Sequence, residues 1–205
     1  MKSKDLSTLE IVINQIHTEP LSRFVVNLFS NIEVLEKFSV VPASYNHHHS
    51  EQGGLLSHSL EVVELIGLNT FENHEERELA MIAGLLHDIG KVMTHDIKGN
   101  MTSTGLQVAH EPLALEICAN ALKQLDQEWH AAANFLRHVW TCSSFNSKVG
   151  YQPNSSLALI VKQADQRSVQ RNMEKKAFKE AKQIGGMYFH EKQRFQKIGR
   201  RPIFF

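Results

Sequence analysis

The chain has 205 residues, a mass of 23.3 kDa and 22 basic against 22 acidic residues. This length fits one globular domain with a tail better than two full domains, and the zero net charge of the whole chain says nothing about a charged partner. No apolar run approaches the ~18 residues of a membrane helix, and the opening residues MKSKDLSTLE lack the apolar core of a signal peptide. We therefore expect no membrane partner. Two cysteines are too few for a disulfide framework, which predicts a reducing, cytoplasmic location.

Charge is unevenly distributed along the chain. Residues 167–205 contain 11 Lys and Arg against 3 Glu, a balance of +8, whereas residues 1–166 contain 11 basic and 19 acidic residues, a balance of −8. The basic segment also contains aromatic side chains, a combination that can follow a phosphate backbone and stack on bases. A solvated helix at the edge of a domain is the other interpretation. The aromatic residues are Phe178, Tyr188, Phe189 and Phe195.

Apolar residues recur at helical spacing through most of the chain, which predicts an all-α fold. Ser7 and Glu10 form a capping-box pattern that predicts the start of the first helix. The stretch 41–54 breaks the helical pattern, and residues 92–105 are turn-rich, so a small hairpin is expected there. Further helices are predicted over residues 21–29, 55–68, 75–87, 111–125, 128–140, 155–169 and 174–184.

The strongest local pattern is the run GLLHDIGK over residues 84–91, where an apolar helix carries His87 and Asp88 into the core. A buried, ionised Asp is costly without a partner, and a divalent cation is a natural one. His58 in LLSHSLEVV and Asp165 in LALIVKQAD lie on similarly apolar helices. Imidazole and carboxylate ligands together suit Mn, Fe, Co, Ni or Zn better than Ca. Each residue taken singly fits a structural role, whereas the four together suggest a metal site drawn from three helices.

The order His58, His87-Asp88 and Asp165 resembles the H…HD…D pattern of the HD superfamily of metal-dependent phosphohydrolases, over roughly residues 40–170. Most of the weight of the metal interpretation comes from this resemblance. It implies an all-α helical bundle with the metal site in a central cleft, and an attack by metal-activated water on a phosphorus centre. We accordingly expect an HD-type domain over residues 1–170 and a basic helical tail over 171–205.

Two subgroups of the superfamily are similar in more detail. His47-His48-His49 before GGLLSHSLEV resembles the HD domain of TraI-type relaxases, the MobH class of conjugative elements, and so does the run ADQRSV over residues 164–169. The spacing from Gly105 to His110 is similar to that in the HD domain of YhaM-type 3′-5′ exoribonucleases. Both subgroups act on nucleic acid, so the resemblance implies DNA or RNA as the substrate. A small or cyclic nucleotide as substrate, and a non-catalytic metal-bound recognition module, are the alternatives.

HD enzymes with two metals take extra histidine ligands, and the resemblance implies His110 and His138 for this role. An exposed histidine at a helix start is the other interpretation of His110, and a packed structural histidine that of His138. The chain departs from the exoribonuclease pattern, because Cys142-Ser143-Ser144 stands where that subgroup has Ser-His-His. One or two divalent ions are therefore predicted, from Mn, Fe, Co, Ni and Zn, with Mg as a further option.

Three residues are predicted to act in catalysis. Asp88 would bridge two metals. Lys91 would hold a phosphate oxygen and offset developing charge, or else serve as a cation at a helix end. His48, from the histidine triplet, would bind phosphate or protonate the leaving oxygen. The alternatives are a triplet histidine that is an outer partner of His58, one that is a nucleophile, as the relaxase resemblance allows, and a flexible surface loop. The histidines without motif context are predicted to be ordinary surface residues: His17, His74, His95, His130 and His190.

Overall fold

The computed structural model describes residues 3–44, 51–143, 150–180, 183–184, 187–190 and 193–197. Most of these residues are helical. The helices there are α1, Ser3–Asn14; α2, Glu19–Phe29; α3, Ile32–Val40; α4, Gly54–Ile66; α5, His74–Leu86; α6, Lys91–Thr94; α7, His110–Ile117; α8, Ala119–Glu128; α9, His130–Thr141; and α10, Ser156–Glu180. The strands are β1, Gln183–Ile184; β2, Met187–His190; and β3, Gln193–Gln196. The chain divides into two compact units, one ending at Ser168 and one beginning at Val169. The predicted all-α bundle is confirmed for the first unit.

Local sequence explains where several helices begin. The side chain of Asn31 accepts hydrogen bonds from the first-turn amides of α3, and Asn73 accepts one from the amide of Glu76 in α5. The capping box predicted at Ser7 is wrong, because α1 is already helical at Ser3 and the Ser7 hydroxyl donates to the carbonyl of Lys4. The turn-rich stretch 92–105 begins within α6 and has a single antiparallel bridge between His95 and Met101 rather than a full hairpin.

The core of the first unit lies between α4 and α5 and the helices packed on them. The close approach of α4 and α5 depends on Gly84, since a Cβ there would lie 2.4 Å from Cδ1 of Ile66. The buried Trp140 of α9 donates from its indole Nε1 to the carbonyl of Ala83 at 3.0 Å. The C-terminal end of α5 is therefore held on two sides. Of the described helices, none combines the length and apolar character needed to span a membrane.

The second unit contains the end of α10 and a small antiparallel sheet of order β1-β2-β3. Its register pairs Tyr188 with Phe195 and Phe189 with Arg194. The tail over residues 171–205 is predicted to be helical, whereas α10 ends at Glu180 and short strands follow it. The adjacent glycines at 185–186 disfavour a continuous helix in this part of the sequence. The two helices predicted over 155–169 and 174–184 are instead the single helix α10.

Candidate metal centre

Polar side chains from four helices and one turn meet in the first unit. The turn after α5 continues in helical hydrogen bonding, with the amide of Lys91 donating to the carbonyl of Asp88 at 2.9 Å. Asp88 and Lys91 are buried and lie three residues apart, so the lysine Nζ reaches 2.5 Å from Asp88 Oδ2. The contributing residues are His58 from α4, His87 and Asp88 from the turn, Lys91 from α6, His110 from α7 and Asp165 from α10.

The imidazoles of His58 and His87 lie close to each other and to the carboxylates of Asp88 and Asp165, and these four side chains form the donor set. The Nε2 atoms of His58 and His87 lie 3.2 Å apart, and Asp88 Oδ2 lies 3.8 and 3.4 Å from them. Asp165 Oδ1 lies 3.2 and 3.5 Å from the same two nitrogens. Two ligands about 2.0–2.1 Å from a tetrahedral ion are about 3.3 Å apart. Of this donor set, His58, His87 and Asp88 offer one atom each within 4.8 Å of one another, which fits one cation with mixed nitrogen and oxygen ligands.

The hydrogen bonds of the two imidazoles support the same conclusion. His87 Nδ1 lies 2.8 Å from the carbonyl oxygen of Gly84, which can only accept, so Nδ1 carries the proton. His58 Nδ1 lies 3.0 Å from Ser168 Oγ, whose own hydroxyl donates to the carboxylate of Glu61 at 3.0 Å. Ser168 therefore accepts from Nδ1–H of His58. When both rings are neutral, two Nε2 lone pairs face each other, and a cation between them satisfies both.

The charges of the protein's own groups at this centre favour an additional positive charge. Burial lowers the pKa of His87, but the carboxylates of Asp88 and Asp165 outweigh burial and raise it to about 10. Burial lowers the pKa of His58, and the hydrogen bond with Asp165 offsets this only in part. Burial raises the pKa of Asp88, but the charges of His87 and Lys91 outweigh it and hold that pKa well below the usual range. His87 thus carries the proton that a bound cation would replace.

Asp88 turns its two oxygens toward different partners. Oδ2 faces the histidine pair and Lys91, whereas Oδ1 lies 2.9 Å from Nε2 of His110. Gly90 makes this possible, because a Cβ at Gly90 would lie 1.9 Å from the carbonyl oxygen of His110. If a second ion binds beside Asp88, His110 would be its added ligand.

Two predicted site residues are not part of this group as described. His138 Nε2 accepts a hydrogen bond from the backbone amide of Asn154 at 3.2 Å, and burial together with the charge of Lys162 lowers its pKa. The role of His138 as a ligand stays a prediction. His48, with the rest of the histidine triplet, lies outside the described residues, and its role stays a prediction as well.

Three residues near the centre were not anticipated from sequence. His95, predicted to be a surface residue, is half-buried, and its pKa is lowered first by burial and then by the charges of Lys91 and His110. Its sequence signal is its position four residues after Lys91, one helical turn on. Glu61 and Ser168 lie three residues after His58 and Asp165, a spacing that puts each on the helix face of a candidate ligand.

Known proteins are similar to this part of the chain. A family model described as HD domain matches residues 55–169. Ribonuclease Y of Lactobacillus acidophilus is 40% identical over 79 residues, which are 37% of this chain and 14% of that protein. Ribonuclease Y of Campylobacter jejuni subsp. doylei is 29% identical over 122 residues, 60% of this chain and 20% of that protein. Ribonuclease Y of Bacillus pumilus is 46% identical over 55 residues, which are 27% of this chain and 11% of that protein.

The chain spans a fifth or less of the length of these relatives. No solved structure matches it. The HD-domain match covers more than half of the chain and contains every residue of the donor set, from His58 to Asp165. The chain belongs to the HD family of metal-dependent phosphohydrolases, as the order of its histidines and aspartates predicts.

Proposed function

We propose that this chain is a metal-dependent phosphodiesterase that cleaves nucleic acid, with RNA as its substrate class. The observation that carries the proposal is the cluster of His58, His87 and Asp88 at ligand spacing, with Asp165 beside both imidazoles and the second oxygen of Asp88 at His110. The names of the ribonuclease Y relatives favour RNA over the DNA expected for a relaxase-like enzyme. The basic C-terminal segment favours a polyanionic substrate over a small nucleotide.

The donor chemistry suits a transition metal. Mixed imidazole and carboxylate ligands select Mn, Fe, Co, Ni or Zn. When bound, such ions supply Lewis acidity that acidifies water and neutralises charge on a phosphate. His58, His87 and Asp88, with Asp165 beside them, would hold one ion, and His110 beside Asp88 Oδ1 would serve a second.

Lys91 is the protein's own cation at the centre. It is 9% exposed, and its Nζ is anchored on Asp88. An ammonium fixed in this way needs no reorganisation when negative charge develops on the phosphate oxygens, which is the condition for effective electrostatic stabilisation. Lys91 therefore binds and orients a non-bridging phosphate oxygen, while His48 stays a prediction for protonation of the leaving oxygen.

The sheet of the second unit supports a single-stranded substrate. Phe189 is 44% exposed, and the guanidinium carbon of its cross-strand partner Arg194 lies 5.8 Å from the ring centroid. On the opposite face Tyr188 packs edge-on against Phe178 of α10, with centroids 5.0 Å apart. One face is thus occupied by the helix, while the other offers an aromatic ring and a positive charge side by side. Bases stack on such rings, and arginine contacts the adjacent phosphates.

Cleavage of matched oligonucleotides tests the proposal. The wild-type chain with added Mn²⁺ is incubated with single-stranded RNA and with DNA of the same sequence, and products are separated on a gel. We expect cleavage of RNA that falls by at least about a hundredfold in Asp88→Asn, because the Lewis-acid contribution is worth several kcal/mol. Asp126→Asn is the control, because it makes the same chemical change in α8, where Asp126 pairs with His130 and Arg137 of α9 and not with the donor set.

The other outcomes separate the rival functions. Cleavage of DNA in preference to RNA would favour a relaxase-like enzyme. Hydrolysis of cyclic nucleotides without cleavage of either strand would favour a nucleotide phosphohydrolase. Tight metal and RNA binding with no hydrolysis would favour a recognition module.

A further inference from the structure

The buried hydroxyl of Ser168 connects the candidate ligand His58 to the carboxylate of Glu61, which lies on the same helix as His58. Ser168 of α10 and His58 of α4 are both 0% exposed, and Ser168 Oγ lies 3.0 Å from His58 Nδ1. The same hydroxyl lies 3.0 Å from an oxygen of Glu61, one turn after His58. The contact joins residues 110 positions apart in the chain, so the packing of α10 on α4 creates it.

The direction of this chain of hydrogen bonds follows from the number of protons. A carboxylate can only accept, and a serine hydroxyl has one proton. Ser168 gives its proton to Glu61, so it can only accept from His58. The neutral ring of His58 must then carry its proton on Nδ1, which leaves Nε2 as a lone pair directed at the centre.

We propose that Ser168 and Glu61 are positioning residues that hold His58 in its Nδ1–H form and so keep Nε2 available for the cation. The inference rests on the metal site of the proposed function, and it concerns how this chain prepares that site. The carboxylate of Glu61, which accepts the last of these hydrogen bonds, also makes the imidazole of His58 a stronger metal ligand, as outer partners of metal-bound histidines do. Both residues act through His58 and have no contact with substrate in this role.

Glu61 determines the direction in which the Ser168 hydroxyl donates, and this effect can be tested separately from the loss of the hydroxyl itself. If the acceptor at Glu61 is removed, the Ser168 hydroxyl is free to turn and donate to Nδ1 of His58. The ring proton then moves to Nε2, where it competes with the cation. An amide at this position keeps an oxygen that accepts the Ser168 proton, although without the charge.

The chain contains a matched control for Ser168. Ser59 follows His58 directly, is also 0% exposed, and its hydroxyl has no hydrogen-bond partner among the described residues. Removing the Ser59 hydroxyl therefore changes burial and volume as in Ser168→Ala, without breaking the link to His58.

The first test measures Zn²⁺ affinity by calorimetry on metal-stripped protein. Ser168→Ala is expected to weaken binding about 10- to 100-fold, whereas Ser59→Ala stays within about twofold of wild type. Equal affinities of the two variants would overturn the proposal. Because affinity is measured without substrate, a chain that binds Zn²⁺ in this way but leaves RNA intact would refute the proposed function and not this inference.

The second test reads the tautomer of His58 directly and holds even if Ser168→Ala does not fold. In metal-free protein labelled with ¹⁵N, imidazole shifts are expected to show Nδ1–H for wild type and Glu61→Gln. Glu61→Leu is expected to move the proton to Nε2 and to weaken Zn²⁺ binding. Retention of both the wild-type tautomer and the wild-type affinity in Glu61→Leu would overturn the proposal.

Discussion

His58 and His87 direct the same ring nitrogen at each other, with their Nε2 atoms 3.2 Å apart and their Nδ1 atoms committed to Ser168 and Gly84. Helix packing fixes this opposition, because α4 and α5 approach closely at Gly84, three residues before His87. The fold thus places two lone pairs together before any ion arrives. In the absence of metal the site must hold a proton instead.

That proton makes metal binding depend on pH. His87 keeps its proton up to about pH 10, because the carboxylates of Asp88 and Asp165 outweigh burial. A cation must displace it, so affinity is expected to rise with pH by up to about tenfold per unit between neutral pH and pH 10. Burial lowers the pKa of His58, which therefore adds no further proton. Calorimetry in buffers of different ionisation enthalpy near about pH 8 should count about one proton released per ion.

The same group makes the stability of metal-free protein depend on pH with a defined sign. The folded-state pKa of His87 lies above its ordinary value of 6.5, so its contribution is complete below 6.5 and is lost as pH rises toward about 10. The melting temperature of stripped wild-type protein should fall across this window, and His87→Gln should flatten the slope. An unchanged slope in His87→Gln would contradict the assignment of the proton to His87.

The number of ions bound is the next prediction. Asp88 Oδ1 and His110 Nε2 lie 2.9 Å apart, on the side of Asp88 away from the histidine pair. We expect about two equivalents of metal by elemental analysis of protein purified without chelator, and about one in His110→Ala. His130→Ala is the control, because it also removes an imidazole, but one that pairs with Asp126 and not with a candidate ligand. One equivalent in both wild type and His110→Ala would show a single-ion site.

Helix positions were predictable where a helix buries a continuous stripe. The predicted ranges 55–68 and 75–87 differ from α4, Gly54–Ile66, and α5, His74–Leu86, by one or two residues. Helix α3 was missed, because only Phe38 and Ser39 of its nine residues are buried and the stripe is too short to register. The break between α7 and α8 at Cys118 also escaped prediction, since apolar spacing continues through it.

The ligands and their supporting residues differ in how far sequence could identify them. His87 and Asp88 are recognisable because polar residues at the end of an apolar helix violate the local pattern. Ser168 and Glu61 do not stand out from the apolar pattern of their helices. Their hydrogen bond joins residues 107 positions apart and depends on how α10 packs against α4. Spacing of three residues from a ligand is a hint, but only the assembled fold shows that the two side chains meet.

Gly90 is expected to be essential for the second ion. A Cβ at Gly90 would lie 1.9 Å from the carbonyl oxygen of His110, a backbone atom that no side-chain rotation can move away. Gly90→Ala should therefore push α7 aside, cost about 1–3 kcal/mol of stability and reduce bound metal toward one equivalent. Thermal unfolding and elemental analysis measure the two effects.

The control for this variant is Gly67→Ala at the end of α4. Its Cβ would lie 3.3 Å from the carbonyl of Glu64, a contact that needs only a small adjustment. If Gly90→Ala melted at the wild-type temperature with full metal content, the tight contact between Gly90 and α7 would not hold His110 in place.

The sheet face of Phe189 and Arg194 makes separable predictions for RNA binding. Loss of one stacked base costs about 1–3 kcal/mol, so Phe189→Ala should weaken binding of a single-stranded RNA oligonucleotide about tenfold, with little change in its salt dependence. Arg194→Gln removes one phosphate contact and should reduce the slope of log K against log salt by about 0.7. Fluorescence anisotropy over a salt series measures both, and Tyr151→Ala, which alters an aromatic residue 83% exposed in the first unit, is the control. Equal effects of Phe189→Ala and Tyr151→Ala would show that the face of Phe189 and Arg194 contributes no more than any exposed ring, and would contradict its assignment as the RNA-binding surface.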